Sequence, residues 1–170
     1  MEPKIEIVNI VATLKLNPMP SPSKVLERIP GTRPLKRFRG ALLRIDKIPV
    51  LFYRSKVIVA GVRSIEELDN IIGKLVDKLN EHGFNSQLIS REVVNVTLKA
   101  ELYKQLDLYV IADRLGGIYD PDYRPYAIVR VNGLTALISQ NGRIVILGAK
   151  GVKEALEAMN ILVEKLQLKD

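Results

Sequence analysis

The chain has 170 residues, 47% hydrophobic and 26% charged, ordinary values for one sizeable globular domain or two small ones sharing a core. It has no cysteine and one histidine, so disulfide staples, thiolate metal sites and multi-histidine metal centres are excluded. The net charge is +7, and the first 86 residues hold 15 basic and 9 acidic side chains, a one-sided excess that suits an oriented polyanion contact.

Met1 to Lys4 leads straight into an alternating segment, with no apolar signal stretch. The longest charge-free run, Val131 to Gly142, is 12 residues, short of the ~20 that span a bilayer. A cytoplasmic, nucleoid-associated protein with no membrane partner is expected. The first strand puts Val8, Ile10, Ala12, Leu14 and Leu16 on one face and Asn9, Val11, Thr13 and Lys15 on the other. A short helix follows at Pro22 to Ile29. Then come Arg33, Lys36, Arg37, Arg39 and Arg44 with no acid between them, followed by short β-rich runs at Ala41–Ile45, Val50–Tyr53 and Val57–Ala60. A long amphipathic helix opens at Ser64, in a capping box with Glu67, and carries Ile65, Leu68, Ile71, Ile72, Leu75, Val76 and Leu79 before Gly83. His82, at its end, is placed to meet the last helical carbonyls.

The second half repeats this order. It has a strand at Val94–Leu102, a helix near Leu106 to Leu115, a hairpin at Asn132-Gly133 and a closing helix carrying Val152 to Leu166. Gly148-Ala149-Lys150-Gly151 lacks the spacing of a phosphate-binding loop and reads as a strand-to-helix turn. Asn9 and Asn95 lie 95 − 9 = 86 positions apart, Arg44 and Arg130 lie 130 − 44 = 86 apart, and Gly61 and Gly148 lie 148 − 61 = 87 apart. The chain is a tandem duplication with repeats at 1–86 and 87–170, each half needing its twin to complete a core. Scattered acids and one histidine form no acid/base constellation. No enzyme, metal, cofactor or small-molecule substrate is expected.

Ile7-Val8-Asn9-Ile10-Val11-Ala12-Thr13, Arg37-Phe38, Arg44, Leu51-Phe52 and Lys56 to Ser64 together resemble the TATA-box-binding protein family, archaeal type. Asn95, Tyr119-Asp120-Pro121-Asp122, Arg130 and Gly142 to Lys150 continue the likeness through the second half. The resemblance implies an α+β saddle, a pseudo-twofold tandem repeat whose continuous curved antiparallel sheet carries its helices on the convex side. It implies that the sheet's open face enters the minor groove of A·T-rich promoter DNA and that phenylalanine wedges kink the duplex. Recruitment of transcription factor B and RNA polymerase is implied as well.

Residue by residue, Phe38 and Phe52 match the family's wedges, and Asn9 and Asn95 its central base-reading asparagines. Val11, Val50, Ile58, Leu137 and Val145 match apolar groove-floor positions, and Thr13 and Thr97 accompany the asparagines. Arg44, Lys56, Arg130 and Arg143 match positions facing phosphates, and Arg39 and Arg124 are further basic candidates for DNA contact. The second repeat departs from the pattern, with Arg124 and Ser139 where wedges would stand. Ala60 and Leu147 replace central threonines, and the loops from Arg44 to Phe52 and from Arg130 to Ser139 are short. The alternative is a diverged paralogue that serves as a protein-interaction or regulatory module with weak or no TATA binding.

Overall fold

The computed structural model describes residues 2–37 and 39–167. Elements run β1 (Lys4–Asn17), α1 (Pro22–Arg28), β2 (Arg33–Pro34), β3 (Ala41–Ile45), β4 (Ile48–Phe52), β5 (Val57–Val62) and α2 (Ile65–Glu81). The second series is β6 (Gln87–Glu101), α3 (Leu108–Arg114), β7 (Tyr126–Val131), β8 (Leu134–Ser139), β9 (Arg143–Ala149) and α4 (Val152–Gln167). The chain forms two compact units, an N-terminal unit of Asn9–Val94 and a C-terminal unit made of the residues up to Val8 and from Asn95 onward. The boundaries of these compact units fall inside β1 and β6.

In the N-terminal unit the antiparallel order is β2-β3-β4-β5-β1. In the C-terminal unit β6, β9, β8 and β7 pair antiparallel in that order, and an isolated Ile118–Ile128 bridge flanks β7 much as β2 flanks β3. Both hairpins turn through two residues with positive φ: Asp46 (48°) and Lys47 (71°), then Asn132 (49°) and Gly133 (78°). Such turns match the right-handed strand twist. Asn-Gly announces one of them in the sequence. Asp-Lys does not announce the other, where a Lys74–Asp46 ion pair holds the turn to α2.

Each sheet is covered on one face by its helices. α2 lies across β3 and β5, with Leu68, Ile71, Ile72, Leu75 and Leu79 buried. α4 lies across β7 and β9, with Ala155, Ala158, Met159, Leu162 and Leu166 buried. Burying such a Leu or Ile contributes about 1.5–3 kcal/mol, far more than helix propensity, so the apolar stripes decide which sheet face is covered. The Ser64 half of the α2 capping box is made, with Glu67 N–H donating to Ser64 Oγ at 3.0 Å, but Glu67 Oε2 accepts from Arg63 N–H, one residue before the cap, at 3.1 Å. At the other end His82 Nδ1 lies 2.8 Å from the Lys78 carbonyl, so this nitrogen carries the proton and caps the helix. No helix among the described residues is long and apolar enough to cross a membrane.

Candidate nucleic-acid interface

The uncovered face of each unit is read from strand register. In the N-terminal unit Thr13 pairs with Ile58, Ile58 with Leu51 and Leu51 with Leu42, a row across four strands. In the C-terminal unit the equivalent row is Lys99, Val145, Leu137 and Ile128. All eight side chains are half-buried, whereas their chain neighbours Ala12, Leu14, Val57, Val59, Leu43, Leu98, Ala100, Ile144, Ile146 and Ile138 are at most 3% exposed. Each unit thus offers a flat surface with an apolar centre. Val11, Thr13, Ile58, Leu137 and Val145 stand on it as expected. Thr97 does too, but it lies opposite the extra residue of β9 at the break in register and keeps only 8% exposure.

Two expected site residues do not. Val50 and Phe52 are both 0% exposed, because Val50 pairs with Leu43 and Val59 while Phe52 pairs with Ala41 and Val57, all core positions. The β4 residue facing outward is Leu51. The continuous apolar run Val50-Leu51-Phe52 shows no alternation of its own, so only its neighbours reveal which parity is buried. The C-terminal counterpart of Phe52, paired with Ala127 and Ile144, is Ile138, also 0% exposed, so Ser139 is not a lost wedge. Phe38 lies outside the described residues.

Asn9 and Asn95 share one local geometry. Gly61 N–H donates to Asn9 Oδ1 at 2.8 Å, and Gly148 N–H donates to Asn95 Oδ1 at 3.1 Å. Each glycine stands in the left-handed region, with φ of 92° at Gly61 and 87° at Gly148, a conformation side chains resist. Each lies opposite a break in ladder register, between Ile10 and Val11 or between Val96 and Leu98. A backbone N–H can only donate, so the amide orientation is set: Oδ1 faces the glycine and Nδ2 is left as a donor. Sequence alone showed the duplicated Asn and the duplicated Gly, but not that they bond.

The basic residues divide into three groups. Arg44 donates to the Lys47 carbonyl at 3.1 Å, and Arg130 donates to Thr135 Oγ1 at 2.7 Å and to the Gly133 carbonyl at 2.8 Å. Both are exposed cations whose guanidinium is oriented by its own hairpin. Lys15, Lys56 and Arg39, all exposed, make no side-chain bond to another described residue. Arg124 is exposed on a turn whose backbone bonds to the Asp120 carbonyl. Arg143, by contrast, sits in a ladder of alternating charge on the C-terminal unit. Arg143 and Lys99 each lie 3.4 Å from Glu101, and Lys99 lies 4.0 Å from Glu6, itself 2.6 Å from Lys4. Glu6 raises the Lys4 pKa, by its hydrogen bond first and its charge second. The N-terminal positions equivalent to Glu101 and Arg143 are Lys15 and Lys56, so that unit's face carries unneutralised positive charge. Among the described residues no group of three or more metal-ligating side chains gathers.

The family model "Transcription factor TFIID (or TATA-binding protein, TBP)" matches residues 90–168. The chain is 32% identical to the TATA-box-binding protein of Pyrodictium occultum, covering 98% of this chain and 87% of that one. It is 31% identical to the Pyrococcus horikoshii protein of the same name, over 96% of this chain and 90% of the relative. Among solved structures, Methanococcus jannaschii TBP aligns with a TM-score of 0.80 at 25% identity, covering 96% of this chain and 98% of that one. The two share a fold.

Proposed function

We propose a function from one premise: this chain belongs to the TATA-box-binding protein family, a family of non-enzymatic DNA-binding transcription factors. We read it as a transcription initiation factor that lays its uncovered sheet faces in the minor groove of A·T-rich promoter DNA. The observation that carries this reading is the duplicated Asn–Gly bond. A·T pairs show the minor groove only acceptors, adenine N3 and thymine O2, whereas a G·C pair adds the guanine amino donor. An asparagine whose Oδ1 is turned to the glycine N–H offers its Nδ2 donors to a ligand, so it matches A·T edges and meets the guanine amino group donor to donor. The apolar row beside it suits a groove floor without charge, and Lys15, Lys56, Arg44 and Arg130 suit the flanking phosphates.

Bending of the duplex belongs to the same proposal. With Phe52 in the core, Phe38 between Arg37 and Arg39 is the remaining wedge candidate in the N-terminal unit. Recruitment of transcription factor B and RNA polymerase is part of the same proposal, and family membership supports it. The charge ladder of the C-terminal unit favours a weaker phosphate contact there than in the N-terminal unit.

Titration of A·T-rich and G·C-rich duplexes with Asn9→Asp and Asn95→Asp tests the reading. The aspartate keeps the bond from Gly61 or Gly148 but exchanges the outward donor for an acceptor. Preference for A·T should fall by about 1–3 kcal/mol per position, the usual worth of one base-edge contact. Unchanged preference in both variants would remove the asparagines from base recognition.

A further inference from the structure

In the N-terminal unit a cleft of about 650 Å³ lies between α1 and the loop from Pro34 to Gly40. Pro22, Leu26, Pro34 and Leu35 supply apolar walls. Lys36, Arg37, Arg39 and Arg54 supply four cations, all exposed, and no acidic residue lines the space. None of these four side chains makes an ion pair or side-chain hydrogen bond with another described residue, so their mutual repulsion is not offset locally. The loop is anchored. Leu35 N–H donates to the Gly40 carbonyl at 3.0 Å, and a Cβ at Gly40 would come within 2.7 Å of Leu35 Cδ1 and 2.8 Å of the Phe52 carbonyl oxygen.

The duplication supplies an internal comparison. The C-terminal unit has a cleft of about 530 Å³ that shares three equivalent positions with it, Leu108, Tyr109 and Gln140 standing for Pro22, Ser23 and Arg54, and that Asp107 also lines. No Lys or Arg lines it, and Tyr109 packs edge-on against Tyr119 at 4.9 Å. Of the four cations only Arg54 has a counterpart there, the neutral Gln140; Arg37 and Arg39 flank the proposed wedge Phe38, whereas Lys36 and Arg54 have no assigned DNA contact.

We propose that the N-terminal cleft docks an acidic segment of a partner protein that carries an aromatic side chain between its carboxylates. The cations recognise the carboxylates, and the apolar walls take the ring. Clusters of arginine are a recurring solution for acidic motifs, and aromatic anchors in pockets supply the affinity of short segments. A phosphodiester strand would leave the apolar walls unused, which favours a protein over nucleic acid. This inference does not rest on the DNA-binding reading.

The test is fluorescence anisotropy of the full chain with a labelled peptide of Asp and Glu around one central Phe, beside its Ala-for-Phe counterpart. The Phe peptide should bind at least ~10-fold more tightly. Arg54→Glu and Leu26→Ser should each weaken it ~10-fold with thermal midpoints unchanged, whereas Lys24→Glu, the same charge change on α1 outside the cleft, should alter it less than ~2-fold. Equal losses in Arg54→Glu and Lys24→Glu would reduce the effect to general charge and overturn the proposal. So would indifference to the central Phe. Full displacement of the peptide by duplex DNA, with Arg54→Glu weakening duplex and peptide alike, would assign the cleft to nucleic acid instead.

Discussion

Replacing Glu101 by Gln takes one negative charge from the middle of the ladder while keeping its size. Glu101 lies 3.4 Å from both Lys99 and Arg143, and the side chains of all three are between 31% and 51% exposed. Exposed ion pairs of this kind are worth about 0.2–1 kcal/mol each, so loss of both leaves the fold intact. The larger effect is on DNA. A carboxylate about 7 Å from a phosphate is repelled by roughly 0.6 kcal/mol at the permittivity of water and about 2.4 kcal/mol at an effective value near 20. Removing it should tighten binding by between ~3-fold and ~60-fold, the two permittivity limits, and each cation freed to meet a phosphate should steepen the log–log salt slope by ~0.9. The assay is duplex affinity at four salt concentrations for the parent, Glu101→Gln and Glu157→Gln, the last on the exposed side of α4. Lys15→Glu builds the acid at the equivalent position of the N-terminal unit and should act in the opposite sense. The reasoning fails if Glu101→Gln weakens binding, or if it matches Glu157→Gln in affinity and slope.

Three further outcomes are expected. Phe52→Ala should destabilise the protein by about 3–5 kcal/mol, because a fully buried ring leaves a cavity; a denaturant midpoint shift measures it, and an unchanged midpoint would restore Phe52 to the surface. Gly142→Ala combines a φ of 87° with a Cβ only 2.6 Å from the Lys104 carbonyl oxygen, so it should cost more than about 1 kcal/mol by the same measurement. Phe38→Ala should remove most of any duplex bend read by FRET between end-labelled strands, with little change in thermal stability, and a bend that survives would place the wedge elsewhere.

Much of this molecule was legible in its sequence because short-range physics writes it there. The period-2 alternation of β1, the N-cap of α2 and the Asn132-Gly133 turn depend on neighbours within a few positions. Each was located from residue type and spacing alone. The role of His82 at its helix end was equally local. What the sequence left undecided depends on partners far along the chain. Val50-Leu51-Phe52 carries no alternation, so the burial of Phe52 was settled only by pairing with Ala41 and Val57. The donor-outward orientation of Asn9 required Gly61 to arrive 52 residues later, on another strand and at a register break. Glu6, Lys99, Glu101 and Arg143 became one charge ladder only because their strands were brought side by side. Side-chain direction in a strand is a property of its pairing, and pairing is a tertiary fact.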